Sequence, residues 1–197
     1  MAARKPKKKS TKADEFPRSQ RVMIRHAYNE TITLAARLVS FAACPPLPDW
    51  DAIEDRQEEL ATGDLIAFSL YLRRLIETVG IEQELRAMEM PAFEGGGPKR
   101  LPIVRVINTV IHHRWIHIVR RKSDTMQVDF KDQASYAAWS AARKEGFYPI
   151  ITVKSDRGSL IAFRVDLMIG AVNDQILDRV IEYCDERLLF LEDPLKD

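Results

Sequence analysis

The chain has 197 residues, 46% of them hydrophobic, which suits one moderately large or two small globular domains and excludes wholesale disorder. Its net charge of +1 hides a segregation: residues 1–12 carry six positive charges and no acid, and the remainder sums to −5. No run approaches the length of a membrane span, and no apolar segment follows the basic N-terminus as a secretory signal would require, so a cytoplasmic location is expected.

In chain order, residues 1–16 lack apolar periodicity and are predicted to form a disordered basic tail. Lys5, Lys7, Lys8 and Lys9 give that tail the means to bind a polyanion through counterion release. From about Arg18 to Ala43 apolar residues recur at spacings of three and four, beginning with Ile24, Ala27, Tyr28 and Thr31, and predict a helix that the Cys44–Pro48 segment stops. Asp49 offers an N-cap for a second, acidic helix over 50–61. Thr62-Gly63-Asp64 reads as a break, and 64–79 as a third helix. Leu65, Phe68, Leu72, Leu75, Ile76 and Val79 make that third helix the most apolar in the chain, and a surface through which two copies are expected to meet. A short acidic helix over 81–90 and a flexible Gly/Pro linker (93–98, within PAFEGGGP) complete the helical region, taken as 17–92.

The stretch Lys99–Lys122 departs from everything before it. It holds seven Lys or Arg, no acid, and three of the chain's four histidines. Pro102 favours a helix start, and Ile103, Val104, Ile107, Val110 and Ile111 fit a helical face. Beyond His113 the alternation changes to that of a strand over 115–121. A second strand at 125–130, an alanine-rich helix over 132–146, and strands at 148–154 and 160–167 joined by a Ser155–Ser159 turn follow. An amphipathic helix over 173–189 closes the chain. The predicted class is α+β, with a helical N-terminal half followed by a ββαββα-like half (99–197) containing a small antiparallel sheet.

Three functional readings follow from the basic stretch. Arg100, Arg105, Arg114, Arg120, Arg121 and Lys122, with Trp115 among them, are the residue types that pair phosphates and stack bases. They suit a non-enzymatic protein that binds nucleic acid or an acidic protein partner. The competing structural reading is that these cations pair with the acidic helices 51–59 and 174–186, and that Trp115 belongs to the core. The second reading starts from Arg105 and His112, with six residues between them, Asn108 among these. This element resembles the Arg-x(4–6)-His motif of the HEPN family of helical ribonucleases. The resemblance implies metal-independent RNA cleavage in which His112 moves the 2′-hydroxyl proton and Arg105 stabilises the phosphorane. A second match to that motif, with four residues between, occurs at Arg21 and His26. The third reading is an assembly subunit. His113 and His117 are four apart but lack an intervening Glu and a third ligand, so no metal or other cofactor is expected. Cys44 and Cys184 lack metal-binding spacing and are expected as small buried side chains.

Overall fold

A computed structural model describes residues 15–44, 51–94, 97–122, 147–155 and 160–191. The basic tail, with Lys5, Lys7, Lys8 and Lys9, lies outside them, as do the strand expected at 125–130 and the helix expected at 132–146.

The first helix, α1 (Arg18–Ala43), begins at Pro17, whose carbonyl accepts from the Arg21 N–H at 2.9 Å. It buries Ile24, Ala27, Tyr28, Thr31, Leu34 and Leu38, a stripe at helical spacing. The second, α2 (Asp51–Val79), runs 29 residues without interruption, so the break expected at 62–64 does not occur. Two side chains explain the continuity. The Thr62 hydroxyl donates back to the Glu58 carbonyl at 2.8 Å rather than capping a new helix, and Asp64 pairs with Arg37 of α1 at 2.9 Å. With the Gln20 side chain donating to the Thr78 carbonyl at 2.6 Å, that pair fixes α1 and α2 as antiparallel neighbours. The end of α2 is Gly80, whose φ of +84° costs a glycine little and any other residue more.

One helical turn, α3 (Glu82–Leu85), then gives way to strands β1 (Glu89–Glu94) and β2 (Gly97–Pro102). The segment expected as a linker is therefore a hairpin, with Met90 opposite Leu101 and Ala92 opposite Lys99. Helix α4 (Ile103–Ile111) starts at Pro102 and strand β3 (His113–Lys122) follows it directly, as the sequence predicts. Strands β4 (Phe147–Ser155) and β5 (Leu160–Arg164) form the predicted antiparallel pair.

The C-terminal helix starts earlier than its amphipathic pattern shows. It comprises α5 (Val165–Val172), a π-helical turn (Asn173–Leu177) and α6 (Asp178–Asp185) in direct succession. Arg164 turns back to Asp166, its Nε donating to a carboxylate oxygen at 3.0 Å, which ends β5 and places an acid in the first helical turn.

The five strands make one antiparallel sheet in the order β2-β1-β5-β4-β3, so the fold is α+β as expected. Ile118, Ile151, Val153, Ile161 and Phe163 point to the helical side and join one buried cluster with the core residues of α1, α2, α4 and α5. Both halves of the chain thus share a single core. The apolar stripe of residues 64–79 is part of it: Leu65, Phe68, Leu72, Leu75, Ile76 and Val79 are all buried. The face expected to meet a second copy is occupied within the chain.

Candidate functional site

The basic stretch divides at His113, and its two parts meet different fates. In the first part the cations are neutralised by the hairpin. Lys99 lies 3.1 Å from Glu94, Arg105 pairs with the same carboxylate, and Arg100 lies 3.3 Å from Glu89. The acids doing this are those of β1, not those of the helices 51–59 and 174–186. In α2 Arg56 pairs with Glu59, and on the C-terminal helix Arg179 bridges Glu84 and Glu182. Glu94 sits where strand alternation puts it on the helical side, level with Ile161, so Lys99 on β2 and Arg105 on the first turn of α4 reach it from two directions. Hydrogen bonding from Lys99, then from Arg105, holds its carboxyl below the usual glutamate range.

The geometry does not bring Arg105 and His112 together. Seven residues along a helix put them about 10 Å apart along its axis. Arg105 is engaged by Glu94, and His112, at the C-cap of α4, lies with Nε2 3.4 Å from Nη1 of Arg73. The same Arg73 nitrogen donates to Oδ1 of Asn108 at 3.4 Å, and its Nε donates to Glu77 at 2.6 Å.

The second part of the stretch behaves differently. A β-bulge between His113 and Trp115 resets the register of β3, after which Trp115 pairs with Lys154, His117 with Thr152 and Ile118 with Ile151. Ile116 and Ile118 then take the helical side, and Trp115 and His117 take the opposite face. Trp115 is consequently 47% exposed, which corrects the expectation that it is core. Its ring stacks on that of His117, centroids 5.5 Å apart and planes 21° from parallel. His113 is engaged elsewhere: its Nδ1 lies 2.8 Å from the Val110 carbonyl.

Arg114, in the bulge, and Lys154, across from Trp115, are exposed and hold no ion pair or side-chain hydrogen bond among the described residues. The face therefore offers a two-ring aromatic ledge with Lys154 directly across the strand pair from Trp115 and Arg114 next to Trp115 in the chain, both unpaired among the described residues. Arg120, Arg121 and Lys122 belong to the same strand, but their side chains lie outside the described residues.

Lys154 escaped the sequence reading because it lies far along the chain in a β-branched run. Only the pairing of β3 with β4 brings it to Trp115. Cys44 is exposed rather than buried, whereas Cys184 is buried, and both thiols are free. Burial pushes the Cys184 thiol up to about 12. Among the described residues no three His, Cys, Asp or Glu side chains form a metal cluster, and no helix is long and apolar enough to cross a membrane. No protein-family model, no curated protein and no solved structure matches this chain.

Proposed function

We propose that this protein binds single-stranded nucleic acid on the exposed face of β3 and β4, without catalysing a reaction on it. The exposed Trp115–His117 stack flanked by Arg114 and Lys154 carries this reading. Bases present a π-face to any flat aromatic, and each base stacked on an aromatic side chain is worth about 1–3 kcal/mol. Cations next to the ledge suit the phosphates that flank a stacked base. A duplex hides its base faces, so a flat aromatic ledge favours single strands over double strands.

Two features add to the reading without carrying it. Arg120, Arg121 and Lys122 extend the positive charge along the same strand, and Lys5, Lys7, Lys8 and Lys9 supply further counterion release. Lys99, Arg100 and Arg105, by contrast, are already neutralised by Glu94 and Glu89 and contribute little.

Fluorescence anisotropy of a labelled single-stranded oligonucleotide at low salt tests the proposal. The expected result is binding that Trp115→Ala weakens by about five- to 150-fold, the loss of one stacked base. No binding at low salt, or unchanged affinity in Trp115→Ala, sinks it.

A further inference from the structure

A cleft of about 180 Å³ opens between the end of α2, α3 and α4. Its floor is apolar, made by Ile76, Val104 and Ile107, and its rim carries Arg73, Glu77, Glu82, Arg86 and Asn108. A cavity of about 150 Å³ accepts a six-carbon ring, so this one has room for a compact molecule of six to nine heavy atoms.

The rim charges are not equivalent. Arg73 and Glu77 close on one another at 2.6 Å, one turn apart on α2. Glu82 and Arg86 are also one turn apart, across α3, and have the same opportunity to pair. Neither holds an ion pair or hydrogen bond among the described residues, and both side chains are exposed at the cleft. Asn108 turns its Oδ1 to Arg73, which leaves its NH₂ free to donate toward the cleft. Among the described residues the rim thus presents one unpaired cation with an amide donor, and one unpaired anion, over a hydrocarbon floor. Because the four rim charges cancel, no net field selects a simple anion or a simple cation.

We infer that this cleft binds a small zwitterion with a compact apolar side chain, the chemistry of a free α-amino acid. Its carboxylate is received by Arg86 and the Asn108 amide, its ammonium by Glu82, and its side chain by Ile76, Val104 and Ile107. The inference is independent of the nucleic-acid reading, since none of these residues lies on the Trp115 face.

The test follows ¹H–¹⁵N NMR shifts of the full-length protein during titration with three probes of nearly equal shape. L-leucine carries both charges, 4-methylpentanoate lacks the ammonium, and 3-methylbutylamine lacks the carboxylate. Saturable shifts with L-leucine are expected, with each single-charge probe weaker by about tenfold or more, because each lost charge-assisted hydrogen bond carries at least that factor. Arg86→Gln, a surface change that leaves the core intact, should weaken L-leucine by a similar factor while leaving the thermal midpoint unchanged. Val104→Phe, which fills the floor, should abolish the shifts. The inference is overturned if L-leucine gives no saturable shift, if 4-methylpentanoate binds as well as L-leucine, or if Arg86→Gln binds L-leucine normally.

Discussion

Glu94→Gln removes the carboxylate that draws Lys99 and Arg105 together at the end of the β1–β2 hairpin. Glu94 is 18% exposed, but its partners are 53% and 45% exposed, so both pairs are screened by water. Each is worth about 0.5 kcal/mol on that footing, and the substitution should cost about 1 kcal/mol at pH 7. For a chain of this size that is a fall of roughly 2–4 °C in Tm. The pH dependence follows from the direction of the shift. The folded-state pKa of Glu94 lies below its unfolded value of about 4.3. Its contribution is therefore fully present above pH ~4.3 and is lost as pH falls through the lower folded value. Urea unfolding of the parent and the Gln variant, repeated from pH 7 down to about pH 3, measures this directly. The gap between them should be constant near neutrality and narrow as the pH falls through the lowered folded value. A gap that widens as the pH falls below the unfolded value, or no gap at pH 7, refutes the claim that this carboxylate neutralises the first part of the basic stretch.

Three further outcomes test other parts of the account. Gly63 lies mid-helix in α2, exposed, with nothing near an added Cβ, so Gly63→Ala should stabilise by about 0.5–1 kcal/mol in chemical denaturation. Destabilisation there would argue for a real break at 62–64. Leu75, fully buried in the cluster that both halves share, should cost about 2–5 kcal/mol when changed to Ala, with one cooperative transition retained. Separate transitions for the helical and mixed halves would contradict a shared core. In the native protein a thiol reagent should modify Cys44 rapidly and Cys184 only on unfolding, because burial holds Cys184 as the thiol up to about pH 12.

The parts of the fold legible in the sequence are those where one local signal acts unopposed. Pro102 followed by an apolar stripe started α4 where expected, and the change of alternation beyond His113 marked β3. The β1–β2 hairpin was not legible because only Met90, Ala92 and Leu101 bury a side chain there, and three prolines and a glycine run disguise the alternation. The continuity of α2 was hidden because Thr62 and Asp64 have the chemistry of caps. Their bonds to Glu58 and Arg37 are tertiary and local facts that no spacing reveals. The early start of the C-terminal helix was missed because Val165–Val172 is apolar nearly all round and shows neither period. At the candidate site, charge and aromatic content were visible, but sidedness was not. Whether Trp115 faces core or water depends on a bulge at His113/Trp115, and Lys154 arrives only through strand pairing.

The most direct test of the nucleic-acid reading is the salt dependence of binding to a single-stranded 15-mer, compared between the parent and an Arg114→Gln/Lys154→Gln double variant. Each phosphate neutralised contributes about 0.7 to the slope of log K against log salt. The double variant should therefore lose about 1.4 from that slope, whereas Trp115→Ala should lower the affinity and leave the slope unchanged. Equal slopes in parent and double variant would contradict the placement of the binding face at Arg114, Trp115 and Lys154.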